Sequence, residues 1–217
     1  MDWIRSTVPP GFELVHFDSV ESPILPGVVW EVEDSSLEKA QDQLGSVLWL
    51  DAVSLFLKYL RSEIKDGLRS TAVCLGEGTG AVGCGIAPLF SSTIISDLPA
   101  LVPLLELNAK LNSNSKHSIE ARAIDWANSS EILLPCDVII GCEVLYGNRD
   151  VWPHLLATIV RLSHAHSTVY LCVTLRNARK DIDDFRANFL SSHFDSIVET
   201  QLSPAVSVLK AKVRVRG

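Results

Sequence analysis

The feature that most constrains the fold is the stretch TAVCLGEGTGAVGCG at residues 71–85, where an apolar run leads into three closely spaced glycines. The apolar run predicts a buried strand, and the residues after Gly80 predict a helix. Glycine allows a sharp bend and lets a ligand approach the backbone closely. Backbone N–H groups at the start of the helix would face that ligand. The stretch therefore predicts a strand–turn–helix unit that binds a nucleotide-like ligand.

Strand-like and helix-like segments alternate along most of the remaining chain. Strands are predicted at residues 72–75, 93–97, 119–124, 137–142, 168–175, 194–201 and 206–215, and helices at residues 49–65, 79–89, 99–112, 150–163 and 181–190. Repeated strand–helix–strand units favour a parallel sheet with helices on both faces. The last two strands form a hairpin that adds one antiparallel strand. The predicted fold class is α/β: a Rossmann-like, seven-stranded, mostly parallel sheet with a C-terminal antiparallel hairpin.

The length of 217 residues suits one α/β domain, and a composition of 47% hydrophobic and 21% charged residues fits a globular protein. Residues 1–48 are predicted to form an N-terminal extension whose short β-hairpin, from strands at 12–17 and 24–32, packs on the core. Residues 49–217 are predicted to form a single globular domain.

The net charge is −7 and no block of Lys or Arg runs along the chain. This argues against binding to nucleic-acid backbone and mildly favours a basic partner. The alternating basic and apolar residues at 210–216 are typical of one solvent-exposed face of an edge or hairpin strand. His164 and His166 follow a predicted helix with no acid or cysteine clustered nearby, so a solvated helix end is favoured over a metal site.

The chain has five cysteines, an odd number, and no two of them have CxxC spacing. Buried free thiols in a reducing compartment are the simplest explanation. The first thirty residues lack a secretory signal pattern, and no apolar run reaches membrane-spanning length. The chain is expected to be a soluble intracellular protein without a membrane partner, located in the cytoplasm or also in the nucleus.

Several predicted strands end in residues suited to ligand binding, and the carboxyl ends of the strands are where open parallel sheets bind ligands. Asp97 ends the second strand, 21 residues after Gly76, where a carboxylate can accept hydrogen bonds from both ribose hydroxyls. The alternative for Asp97 is an N-cap of the next helix. Trp126 either stacks on a purine, with Asp125 accepting from an amino group, or is an ordinary half-buried tryptophan.

The glycine pattern distinguishes between cofactors. Dinucleotide enzymes carry GxGxxG, whereas Gly76, Gly78 and Gly80 form GxGxG. Alone this is a weak signal. Together with Asp97 and the acid Glu143 after the fourth strand, it favours S-adenosylmethionine over NAD.

These residues carry a family resemblance. The segments GSVLWLDA at 45–52, CLGEGTGAVG at 74–83, SDLP at 96–99, LLELN at 104–108, DW at 125–126 and EVLY at 143–146 occur in that order. The chain resembles the seven-β-strand protein-lysine methyltransferases of the methyltransferase-like 21 group, also called family 16. The resemblance covers about residues 27–190, and the WLDA and EVLY segments are its more specific parts.

The resemblance implies S-adenosylmethionine as cofactor and an assignment for each site residue. The implied cofactor-binding residues are Trp49 at the methionine part, the turn residues Gly76, Glu77, Gly78 and Gly80, Asp97 at the ribose, Leu98 next to it in the chain, Trp126 beside the adenine, and Cys142 through its backbone. Glu143 and Tyr146 would face the incoming lysine. Glu143 is expected to orient the ammonium group rather than to be an essential base, because water can accept the proton.

Two residues depart from the family pattern. Family members usually have an acid two residues before the first glycine, where this chain has Cys74. The residue between the first two glycines is usually small, and here it is Glu77. Either Glu77 takes over the contact to the cofactor's amino group, or the pair marks weakened cofactor binding.

The implied partner is a protein that carries the target lysine, of the elongation factor, chaperone or AAA ATPase type, and a monomeric enzyme is expected. One rival is a small-molecule or nucleic-acid methyltransferase. The absence of a basic block and of an Asn/Asp-Pro-Pro-Tyr motif after the fourth strand counts against base methylation. The other rival is a catalytically weakened, cofactor-binding interaction protein.

Overall fold

The computed structural model describes residues 13–17, 29–33, 50–65, 70–128, 134–145, 149–175 and 179–213. The strands are β1 Glu13–Phe17, β2 Val29–Glu33, β3 Thr71–Leu75, β4 Ser92–Asp97, β5 Ser118–Ala123, β6 Cys136–Cys142, β7 Ser163–Thr174, β8 Phe194–Ser203 and β9 Val206–Val213. The helices are α1 Leu50–Glu63, α2 Ala81–Ile86, α3 Val102–Asn112, α4 Trp152–Arg161, α5 Arg179–Phe185 and α6 Ser191–His193. Short 3₁₀ turns adjoin α2, α3 and α4, and a π turn joins α5 to α6.

Seven strands form one sheet in the order β5-β4-β3-β6-β7-β9-β8. The pairs from β5 to β7 are parallel, whereas β9 runs antiparallel to both of its neighbours, β7 and β8. The predicted fold class is confirmed. The order reverses between β3 and β6, which places a ligand crevice at the carboxyl ends of these two strands.

The sheet has helices on both faces. Alternate residues of a strand point to opposite faces, and β3 accordingly contributes Ala72 and Cys74 to one hydrophobic cluster and Val73 and Leu75 to the other. The first cluster contains buried residues of α1, α2 and α3, and the second contains buried residues of α4 and α5.

Helix α1 is amphipathic, with Val53, Phe56, Leu57 and Leu60 buried at helical spacing. It packs directly on α2, because a Cβ at Gly85 would lie 2.6 Å from a methyl group of Leu57. This contact holds the short helix that follows the glycine turn.

The helix before β7 ends earlier than predicted, and β7 begins earlier. The helix was predicted to continue to residue 163, yet α4 ends at Arg161 and Ser163 already pairs with Cys136 of β6. His164 lies in β7, with its Nε2 3.2 Å from Asp137 Oδ1, so the predicted solvated helix end was wrong. The long-range pairing with β6 extends β7 in a way that local pattern does not indicate.

The C-terminal hairpin is confirmed, but β9 is an internal strand rather than an edge strand. Lys210 on β9 forms an ion pair with Glu63 of α1, with Nζ and Oε2 2.6 Å apart, and its Nζ lies 5.6 Å from the centre of the Tyr170 ring. The basic residue predicted to face solvent therefore joins α1 to the sheet.

The predicted N-terminal hairpin is also present, with β1 and β2 paired antiparallel from Glu13↔Glu33 to Phe17↔Val29. The first part of its second predicted strand, residues 24–28, lies outside the described residues. β2 is close to α3. Within the described segments, no helix combines the length and apolar character needed to cross a bilayer.

Candidate active site

The glycine turn after β3 has a backbone that side chains rarely adopt. Gly76, Gly78 and Gly80 have φ values of 63°, 57° and 79°. A Cβ at Gly76 would also lie 2.9 Å from Val144 Cγ1 and 3.1 Å from Trp126 Cζ2. Conformation and close packing thus both require glycine at the first position, and the turn brings the predicted residues Gly76 and Trp126 together.

Hydrogen bonds from two neighbouring elements hold this turn. The Glu77 N–H donates to the Ser96 carbonyl of β4 at 3.0 Å. The buried side chain of Asn108, on α3, donates from Nδ2 to the Thr79 carbonyl at 2.6 Å. The turn is therefore fixed between β4 and α3 before any ligand binds.

Asp97 lies against the turn, as predicted. Its Oδ2 accepts from the Gly78 N–H and its Oδ1 from the Leu98 N–H, both at 2.7 Å. Burial raises the pKa of Asp97, and these two backbone donors partly oppose the increase. The next helical turn, Pro99–Leu101, has no side-chain cap, so the helix-cap alternative for Asp97 is wrong. Leu98 beside it is 37% exposed.

Trp126 is half-buried and covers Gly76, in a short turn after β5. Asp125 stabilises that turn: Oδ1 accepts from the Ala127 N–H and Oδ2 from Asn128 Nδ2, both at 3.0 Å. The bond from Asn128 contributes most to lowering the pKa of Asp125. The Asp125 carboxylate thus has a local role in orienting Trp126, and contact with an adenine amino group stays a prediction.

Glu143 follows the last residue of β6 and has a φ of 58°, uncommon for a residue with a side chain. Its N–H donates to the Cys172 carbonyl of β7 at 2.9 Å, and its Oε1 accepts from Thr174 Oγ1 at 2.6 Å. Two bonds to the end of β7 thereby hold the predicted catalytic acid at the switch point of the sheet.

Cys142 pairs in register with Cys172. The pKa of the Cys142 thiol is raised, mainly by its hydrogen bond with the Cys172 thiol and secondly by burial. A protonated thiol is a poor nucleophile, so the site does not favour covalent cysteine catalysis. Trp49 and Tyr146, the remaining predicted site residues, lie outside the described residues.

Glu77 turns its side chain toward α2. Oε2 accepts from the Gly83 N–H at 2.8 Å, and the Val82 N–H also bonds to the carboxylate. Oε1 is buried and has no hydrogen-bond partner among the described residues. Burial, opposed by these N–H groups, raises the pKa of Glu77 to about 8.

The interpretation of the sequence missed the roles of Thr174 and Asn108. Thr174 carries no signal of its own, because its role depends on which residue of β6 lies beside the end of β7. Asn108 did carry a signal: it is a polar residue on the apolar face of α3, where a buried amide needs a partner.

Three features together define a class I methyltransferase fold: a glycine turn with positive φ, an acid at the end of the neighbouring strand β4, and the strand β9, which lies between β7 and β8 and runs antiparallel to both. The glycopeptide N-methyltransferase MtfA, solved with S-adenosyl-L-homocysteine, superimposes with a TM-score of 0.61 at 8% identity, over 75% of this chain and 90% of that chain. At this identity the similarity concerns the fold alone.

Sequence relatives give the family. The protein N-lysine methyltransferase METTL21A of Xenopus tropicalis is 32% identical over 188 residues, covering 83% of this chain and 85% of the relative. The EEF1A lysine methyltransferase 3 of Mus musculus is 28% identical over 148 residues, covering 68% of this chain and 62% of the relative. The lysine methyltransferase family model matches residues 33–191. The chain belongs to the lysine methyltransferase family, which confirms the predicted enzyme class, with S-adenosylmethionine as cofactor.

Proposed function

We propose that the chain methylates a lysine side chain of a protein substrate at the carboxyl ends of β3, β4 and β6. The observation that carries this proposal is the arrangement of Glu143 beside Thr174, at the same end of the sheet as the glycine turn. An acid held at this point is suited to orient a cationic lysine.

The residues present fit the cofactor. Gly76, Gly78 and Gly80 line the methionine and ribose parts, and Asp97 accepts from the ribose hydroxyls with Leu98 beside it. Each Asp97 oxygen accepts one backbone hydrogen bond and retains capacity for another. Trp126 is further assigned to the adenine, Cys142 to a backbone contact, Trp49 to the methionine part and Glu77 to the amino group of the cofactor.

When bound, S-adenosylmethionine supplies an electrophilic methyl group on a positively charged sulfur. The reacting lysine must be neutral, and a nearby positive charge lowers the pKa of its ammonium group. Glu143 accepts a hydrogen bond from the lysine nitrogen and orients it, while the proton leaves to water. Tyr146 is assigned to shaping a channel for the lysine side chain.

The substrate proposed is a protein with a basic, lysine-bearing segment, of the elongation factor, chaperone or AAA ATPase type. The net charge of −7 complements such a segment. One relative is named for methylation of EEF1A. We further propose a cytoplasmic or nuclear location, a monomer, and one globular unit over residues 49–217 with residues 1–48 as an extension.

The test is transfer of a radiolabelled methyl group into a cell extract, with mass spectrometry of the labelled band. Glu143→Ala should abolish labelling and retain cofactor binding by calorimetry, whereas the exposed Glu106→Gln variant on α3 should label like the wild type. Undiminished labelling by Glu143→Ala would remove Glu143 from the mechanism. Failure of the wild type to bind S-adenosylmethionine at near-millimolar concentration would instead favour the inactive interaction protein.

A further inference from the structure

The carboxyl group of Glu77 lies in an unusual environment for an acid. Oε2 accepts from the Gly83 N–H on α2, and Oε1 is buried without a partner among the described residues. An ionised carboxylate oxygen without a partner carries a large free-energy cost of burial. The arrangement therefore suits a protonated acid while the site holds no cation.

The groups that face Glu77 come from every element around it. They are Cys74 on β3, Cys84 on α2, Asp97 on β4 and Cys142 on β6. None of these four groups carries a positive charge. With burial as the largest cause and Asp97 adding to it, the pKa of Glu77 rises to about 8.

The small side chain of Cys74 makes room for this acid. A Cβ built on Gly83 would lie 3.3 Å from Glu77 Oε2 and 3.4 Å from Cys74 Sγ, so both side chains adjoin the same backbone position. A second carboxylate at residue 74 would enter the space that Glu77 occupies. The two residues that depart from the family pattern thus lie next to each other beneath the turn, and only one of them is an acid.

We propose that Glu77 is a specificity-determining residue that distinguishes the positively charged cofactor from its neutral product: it holds a proton in the free protein and releases it to solvent when the sulfonium cation binds. The inference rests on the proposed cofactor site. A positive charge nearby favours an ionised carboxylate. S-adenosylmethionine has that charge on sulfur, whereas the thioether of S-adenosylhomocysteine has none.

The consequence is a pH-dependent selectivity. Below pH 8, binding of the cation costs the removal of a proton from Glu77, so the affinity for S-adenosylmethionine should increase as the pH rises from 6 to 8. The increase is at most about tenfold per pH unit for one released proton. The affinity for S-adenosylhomocysteine, which shares the amino group but lacks the charge on sulfur, should increase less over the same range.

Isothermal titration calorimetry of the full chain at pH 7, in two buffers of different ionisation enthalpy, measures the protons released. Wild type should release most of one proton with S-adenosylmethionine, because a group with a pKa of about 8 is mainly protonated at pH 7. It should release clearly less with S-adenosylhomocysteine, which has the same amino group but no charge on sulfur. Glu77→Gln, which keeps an acceptor for the Gly83 N–H, should lose both the release and the pH dependence. Glu106→Gln, an exposed carboxylate on α3, should behave as the wild type.

The same release from Glu77→Gln as from wild type would overturn the inference, and so would equal release with both ligands. Loss of the release in Asp97→Asn but not in Glu77→Gln would assign the proton to Asp97. Binding without proton release contradicts this inference alone, whereas no binding by wild type contradicts the cofactor site as well.

A second measurement needs no ligand. The folded-state pKa of Glu77 is raised, so between about pH 5 and 8 Glu77 binds more protons in the folded protein than in the unfolded chain. The contribution of Glu77 to the free energy of unfolding should therefore decrease as the pH rises through this window. The free energy of unfolding of Glu77→Gln should decrease less steeply than that of the wild type. Parallel stability curves for the two proteins would contradict the protonated state proposed for Glu77.

Discussion

Thr174 Oγ1, at the last residue of β7, donates a 2.6 Å hydrogen bond to Glu143 Oε1, just past the end of β6. The same two strand ends are joined by the bond from the Glu143 N–H to the Cys172 carbonyl. Backbone and side chain of Glu143 are thus both oriented by β7. A preset carboxylate loses less conformational entropy when the substrate arrives.

We expect Thr174→Val to reduce methyl transfer because it removes the donor to Glu143 while keeping the shape of the side chain. A hydrogen bond to a charged group contributes about 1.5–3 kcal/mol, so the rate should decrease about tenfold or more. Thr174→Ser retains the hydroxyl and should retain most of the rate. Radiolabel kinetics measure the effect, and cofactor affinity by calorimetry should be unchanged in both variants. Equal methyl-transfer rates for Thr174→Val and Thr174→Ser would show that the Thr174 hydroxyl does not position Glu143.

Asp97→Asn should weaken cofactor binding. The Gly78 and Leu98 N–H groups bond to different oxygens of Asp97, and in the variant the NH₂ group, a donor, would face one of these two donors. Together with the weaker bond to a ribose hydroxyl, the loss should exceed about 1.5 kcal/mol, or about tenfold in Kd. Calorimetry with S-adenosylhomocysteine measures it without turnover. A wild-type Kd in Asp97→Asn would exclude Asp97 from the ribose contact.

Asn108→Ala should loosen the glycine turn. The variant leaves the Thr79 carbonyl without the amide donor of α3 and creates a small cavity at a fully buried position. The expected loss is about 1–3 kcal/mol in the free energy of unfolding, with weaker cofactor binding as well. Glu106→Ala, on the exposed side of the same helix, is the matched control. Chemical denaturation measures the difference, and equal stability of the two variants would contradict the role of Asn108.

Asp137 should contribute to stability at neutral pH and lose its contribution in acid. Burial is the largest single influence and raises its pKa, but the hydrogen bonds from Thr71 and the partner His164 outweigh burial and lower it. A lowered folded-state pKa means that the contribution is complete above the ordinary Asp value of about 4 and is lost as the pH falls through the folded value.

Asp137→Asn should therefore flatten the decrease of stability in acid. The side chain is 43% exposed, so the expected difference at pH 7 is below about 1 kcal/mol. Thermal unfolding from pH 2 to 7 measures the change. A variant whose curve runs parallel to that of the wild type would show that Asp137 does not titrate with folding.

The sequence was sufficient for the fold because its strongest signals are local. An apolar run identifies the strand β6, and an amphipathic pattern identifies the helix α1. Neither signal requires knowledge of the neighbouring elements. The acids at strand ends could be placed together in advance, because the carboxyl ends of parallel strands share one edge. Asp97 lies against the turn for that reason.

The remaining details depend on contacts between distant segments. Thr174 meets Glu143 because of the register between β6 and β7, and Lys210 meets Glu63 because β9 is inserted beside β7. The direction of the Glu77 side chain depends on the packing of α2 against β4, where a Cβ at Gly83 would lie 2.1 Å from Ile95 Cγ2. A single sequence contains no periodic signal for any of these three contacts.

The insertion of β9 between β7 and β8 also has a consequence for biosynthesis. The partner strand for one edge of β7 follows every other described strand in the chain, so a ribosome must translate it before the sheet can close. Until then β7, which carries Thr174, has an unpaired edge that exposes backbone hydrogen-bonding groups to other chains. The hydroxyl that orients Glu143 thus belongs to a strand whose second edge, where Thr174 pairs with Val206, is completed only after β9 has been translated.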